Sequence, residues 1–121
     1  MIVACTSRVV KNGLEYELVV GKEYLVTGIS FIPSNSQDTQ VLYEIVNDAG
    51  NLRPVPSTLF KVIDDRCSKY WIAKAKDSGT FSIRPKEFFR KYFHDDLSNG
   101  VGEIVAIYDD VVKKMMAESS K

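Results

Sequence analysis

Histidine and tryptophan occur once each in this chain of 121 residues, and cysteine only twice. With a single imidazole, His94, no pair of histidines exists to hold a metal, and any imidazole acid–base step would have to run through that one ring. Cys5 and Cys67 lie far apart in sequence and neither belongs to a Cys-x-x-Cys pair. They read as free thiols of a reducing compartment, not as a metal knuckle or a disulfide. Net charge is missing as well. Sixteen Lys and Arg balance sixteen Asp and Glu, so no global field draws the molecule toward nucleic acid or anionic lipid. No apolar run approaches the roughly 18–20 residues that cross a bilayer. The opening MIVACTSRVV lacks the charged start and continuous apolar stretch of a secretion signal, and the expected location is the cytoplasm. A phosphate-binding glycine loop, a dinucleotide fingerprint, a zinc-protease helix and a nucleophile elbow are all absent.

What is present is the composition of one soluble globular domain spanning 1–121: 45% hydrophobic and 26% charged residues. Charge is segregated along it. The net charge is negative by two over residues 1–60, positive by five over 61–91 and negative by three over 92–121.

Up to about residue 84 the apolar residues come in short runs rich in Val, Ile, Tyr and Phe, separated by Gly, Asn, Asp, Ser and Pro. That pattern predicts strands over 2–6, 24–32, 41–46, 52–55 and 60–63, with 15–20 a further short strand or an extended approach to the second. Asn12-Gly13 supplies a tight turn, 33–38 a polar loop, and Asn47 to Gly50 a hairpin with Gly50 left-handed. Pro54 and Pro56 keep the fourth strand short or at an edge. Residues 56–60 read as a single 3₁₀ turn opened by a hydroxyl residue before the closing strand.

The arrangement GKEYLVTGI, then VLYEIVNDAGNL, then VPSTLFKVID resembles the second strand, central hairpin and final turn and strand of an SH3-like barrel. The resemblance covers residues 1–64 and implies a small barrel of about five strands. Residues 65–118 then form a β-hairpin and a helical pair packed on it, giving an α+β fold. The hairpin turns at Asp77-Ser78-Gly79. Past Arg84-Pro85 the apolar period lengthens to three and four, predicting two antiparallel helices over 86–97 and 103–118. Trp71 is expected in the core with its indole N–H on a carbonyl.

No residue is assigned a catalytic, cofactor-binding or metal-binding role. Consecutive helical residues point about 100° apart, so His94, Asp95 and Asp96 do not converge on one ion and read as a solvated cluster. The leading expectation is a non-catalytic protein-binding module resembling small bacterial immunity or phage accessory proteins. Its acidic residues Asp95, Asp96, Glu103, Asp109 and Asp110 would face the basic surface of a toxin. The alternative is a single-stranded nucleic-acid binder using Lys69, Lys74, Lys76, Arg84, Lys86, Arg90 and Lys91, with Tyr70 or Trp71 stacking on a base. A small enzyme of unknown class is a third reading.

Overall fold

The computed structural model describes residues 1–10, 13–33, 39–48 and 50–119. Residues 34–38 of the expected loop and parts of the turns at 12–13 and 47–50 fall outside them; Pro33, the first residue of that loop, ends a strand instead. Gly13 and Gly50, on the described side of those turns, take positive φ.

Seven strands form one antiparallel sheet: β1 (Ile2–Cys5), β2 (Glu23–Pro33), β3 (Thr39–Val46), β4 (Leu52–Pro56), β5 (Phe60–Asp64), β6 (Trp71–Ala75) and β7 (Phe81–Pro85). The order β4-β3-β2-β1-β5 runs across the first half of the chain, and β7, with β6 beside it, pairs with β2. β2 organises the sheet because it is long enough to serve three neighbours. On one edge, Glu23–Leu25 pairs with β1 and Ile29–Phe31 pairs with β7, while β3 occupies the other edge from Val26 to Pro33. A register irregularity between Val26 and Gly28 marks where the strand passes from one set of partners to the other.

The five strands of the first half lie where the sequence places them, and a 3₁₀ turn, Ser57–Leu59, precedes β5. Its N-cap residue is Pro56, so no hydroxyl caps the turn. Residues 15–20 add no strand; an isolated Val9–Glu15 bridge, a Val19 N–H bond to the Tyr24 hydroxyl and the buried Leu18 side chain hold them against the sheet. The closed barrel does not form, because β4 and β5 end the strand order without pairing with each other and the sheet stays open. The β6–β7 hairpin extends it along the free half of β2.

The first expected helix is also replaced. Residues Lys86–Phe89 form a 3₁₀ turn, Arg90 is extended, and Tyr92 is left-handed at φ 62°, ψ 18°. Only Phe93–Ser98 is helical (α1), followed closely by the long helix α2 (Gly102–Ser119). Helical periodicity would place Phe88, Phe89, Tyr92 and Phe93 on one stripe, but aromatics are middling helix formers and packing decides otherwise. Breaking the helix stacks Phe88 on Phe93 at 4.8 Å between ring centroids, with Tyr108 of α2 6.1 Å from Phe88. Such contacts add to the burial energy of both rings.

Two clusters make the core. Leu25, Leu52, Phe88, Phe93, Leu97, Ile104, Tyr108, Val111 and Met115 lie between the sheet and the helices. Val3, Cys5, Leu18, Tyr24, Val26, Ile45, Val55 and Leu59 fill the first-half strands. Trp71 packs against both, and its indole N–H donates to the Thr27 carbonyl at 2.8 Å, as expected from the sequence. Both cysteines are free, Cys5 buried and Cys67 exposed. Among the described residues no helix is long and apolar enough to cross a membrane.

Candidate functional site

The polar network of the molecule is built on the far halves of β2, β3 and β7. Glu44 sits in the middle of β3, opposite Gly28 of β2, and its side chain is only 7% exposed. A carboxylate so deep must be partnered or it would be strongly destabilising. Two nitrogen-bearing side chains meet it. His94, second residue of α1, places Nε2 2.6 Å from Oε1, and Arg84 of β7 places Nε 3.5 Å from Oε2. The second contact is an ion pair without hydrogen-bond geometry, and neither of its atoms has a hydrogen-bond partner among the described residues. Arg84 is held from its other side as well. Its Nη2 donates to Ser30 Oγ at 3.3 Å and to Ser82 Oγ at 3.5 Å, and those two hydroxyls lie 3.1 Å apart.

Gly28 makes the arrangement possible. A Cβ there would lie 2.8 Å from the Ile83 carbonyl oxygen, 2.9 Å from Arg84 Cβ and 3.2 Å from Glu44 Oε2. Only a residue without a side chain lets β7 carry Arg84 this close to Glu44.

The network forms the floor beside two shallow depressions that share Phe89 and Arg90. One, of about 390 Å³, is lined by Lys74, Lys86, Glu87 and Ile107. The other, of about 290 Å³, is lined by Lys76, Arg84, Tyr92, His94 and Asp95, with Phe88 and Phe93 beneath. Phe89, half-buried, carries a cation on its ring from each strand of the hairpin: Lys74 Nζ and Arg84 Cζ each lie 5.0 Å from its centroid. Among the described residues no carboxylate lies within ion-pairing distance of Lys74, Lys76 or Lys86, and Arg90 meets only the exposed Glu103, at 3.4 Å. The result is a basic groove with an aromatic floor. At its lip stands Tyr92, 63% exposed, in a backbone conformation that costs a bulky residue on the order of 1–3 kcal/mol. Lys91 Nζ is 5.0 Å from its ring.

Five of the seven basic residues singled out from the sequence therefore converge on this groove. Lys91 stands at its edge. Lys69 lies elsewhere: its backbone N–H donates to Glu118 at 3.0 Å, and it lines a depression with Met1, Asp64, Arg66 and Cys67. The two aromatics expected to stack are engaged in the core, Trp71 through its bond to Thr27 and Tyr70 by packing on the helical cluster.

The acidic set is dispersed. Asp95 lines the groove, Asp96 is half-buried in α1, Glu103 faces Arg90, Asp109 is exposed, and Asp110 pairs with Lys114 at 3.0 Å. His94 is not part of a solvated acidic cluster, as its neighbours suggest. The break before α1 turns its ring onto Glu44. Glu44 itself is missed by motif reasoning, although one signal exists: it is the lone charge in the apolar run VLYEIV. Among the described residues no group of three or more His, Cys, Asp or Glu is gathered so as to hold a metal.

No known protein family matches the chain, and neither a curated protein nor a solved structure matches its sequence or fold.

Proposed function

We propose that this protein is a non-catalytic binding module, on an opened SH3-like scaffold, that holds single-stranded nucleic acid in the basic groove around Phe89. The observation that carries the reading is the concentration of Lys74, Lys76, Arg84, Lys86 and Arg90 on two adjoining depressions, three of them without an acidic partner among the described residues. In a chain of zero net charge, such local segregation is what phosphate binding needs. Tyr92 supplies the exposed ring on which a base stacks, and its left-handed backbone supports a role beyond packing. The strand order β4-β3-β2-β1-β5, with a 3₁₀ turn before β5, supports the SH3-like description.

Titration of a fluorescent single-stranded oligonucleotide, followed by anisotropy, tests the proposal. Binding in the micromolar range at low salt, falling steeply as salt rises, is the expected result. No binding at low salt ends it.

A second reading, a toxin-neutralising protein that uses Asp95, Asp96, Glu103, Asp109 and Asp110, is favoured by one observation. The rigid 18-residue helix α2 presents exposed Glu103, Asp109 and Asp110. Co-purification with the product of a neighbouring gene, lost on reversing Asp95, Asp96 and Asp110 to Lys, would establish it. An unaffected complex would exclude those residues.

A further inference from the structure

We infer that His94 is the specificity residue of the groove, accepting a hydrogen bond from a ribose 2′-hydroxyl and so selecting RNA over DNA; this rests on the nucleic-acid reading of the groove. The Glu44 carboxylate beside the Arg84 guanidinium offers only lone pairs, so the 2.6 Å contact with His94 requires the proton on Nε2. In the uncharged imidazole the other nitrogen, Nδ1, then carries a lone pair and can only accept. Nδ1 has no hydrogen-bond partner among the described residues and is not sealed from solvent, and the ring lines the groove.

Most of the polar lining around it consists of donors. Lys76, Arg84 and Arg90 suit phosphate oxygens equally well in RNA and DNA. Acceptors are needed to read a donor, and besides the Tyr92 hydroxyl, which both donates and accepts, the depression has His94 and Asp95. The Asp95 carboxylate repels a phosphodiester as it accepts. An uncharged Nδ1 accepts without that repulsion, which fits it to a hydroxyl lying next to the backbone phosphates. The 2′-hydroxyl is the group that distinguishes the two nucleic acids at such a position. Glu44 is the positioning residue: buried and anchored by Arg84, it fixes both the orientation and the tautomer of the ring.

The test compares RNA, 2′-O-methyl RNA and DNA of one single-stranded sequence, bound to the full chain in mildly alkaline buffer. One hydrogen bond predicts RNA binding about three- to tenfold tighter than DNA, with the 2′-O-methyl form resembling DNA because its donor is gone. His94→Leu should abolish the difference, whereas Asp95→Asn should strengthen binding of all three and leave the ratio intact. Because His94 is the only histidine, its ring ¹⁵N signals are unambiguous and decide the matter even if His94→Leu does not fold. Nε2 should be protonated and Nδ1 bare, and Nδ1 should shift on adding RNA but not DNA. Equal affinity for RNA and DNA, a preference that survives His94→Leu, or a proton on Nδ1 would overturn the assignment to His94 while leaving the groove intact. Failure of all three oligonucleotides to bind would overturn the groove reading itself.

Discussion

Replacing Gly28 with Ala perturbs the site at its tightest point. The new Cβ would fall 2.8 Å from the Ile83 carbonyl oxygen and 2.9 Å from Arg84 Cβ. Neither is the end of a flexible side chain, so β7 itself must move away from β2, where it pairs through Ile29, Ser30 and Phe31. Overpacking of this kind costs about 1–3 kcal/mol. Alanine restores part of that, about 0.4–1 kcal/mol, by restricting the unfolded chain. The net expectation is a loss of about 1–2 kcal/mol, or roughly 3–8 °C in Tm for a domain of this size. Urea unfolding should show a lower midpoint with an unchanged slope, since no surface is newly exposed in the native state. The displacement should also reach the polar network, because Arg84 follows the shifted residue Ile83, and the His94 ring signals should move. A Gly28→Ala protein as stable as the parent, with unshifted His94 signals, would refute the claim that this close approach sets the spacing of Glu44 and Arg84.

Other changes carry their own expectations. The Tyr108 hydroxyl is buried in the helical cluster without a hydrogen-bond partner among the described residues, so Tyr108→Phe should stabilise the protein by about 1 kcal/mol in urea unfolding. Burial, with a smaller effect of Asp109, pushes the Tyr108 phenol up to about 12. The folded state therefore holds its proton longer than the unfolded chain, and the stability linked to that proton fades as pH rises from about 10 toward 12. Tyr108→Phe should remove this part of the alkaline loss. At the other extreme, Arg66 donates side-chain and backbone hydrogen bonds to Asp64 and holds its carboxyl well below the ordinary range. The stability from that pairing is present above the ordinary carboxylate value and is lost as pH falls through the depressed one. Accordingly, the gap between the parent and Arg66→Ala, measured by thermal unfolding, should narrow progressively below about pH 4.

The strands were legible because each is a short apolar run bounded by turn formers, and β1 to β5 fall close to the expected residues. Closure was not legible. Whether a five-stranded sheet joins its edges depends on what occupies the far half of β2, and the pairing of Ile29–Phe31 with β7 is a long-range contact that no local pattern encodes. The aromatic stripe after Pro85 misleads for a related reason. Its spacing fits a helix, but stacking Phe88 on Phe93 and turning Tyr92 outward satisfies the core without one. For the groove, sequence proximity revealed the basic residues, since a hairpin and the turn after it keep Lys74, Lys76, Arg84, Lys86 and Arg90 near one another. Glu44 and His94, 50 residues apart in sequence, meet only through the fold.

The central claim, that the groove around Phe89 is a nucleic-acid interface, is tested most directly by reversing its unpaired charges. Lys74 and Lys86 are exposed and line the same depression, so Lys74→Glu with Lys86→Glu should leave folding intact, as monitored by urea unfolding. Anisotropy titrations with single-stranded RNA across a salt series then give affinity and slope together. Each lost phosphate contact should lower the slope of log K against log salt by about 0.7. The account predicts a drop in affinity of at least about tenfold and a slope smaller by about 1.4, while reversal of Asp109 and Asp110 to Lys on α2 reduces neither. Binding whose affinity and salt slope are untouched by the Lys74 and Lys86 reversals would contradict it.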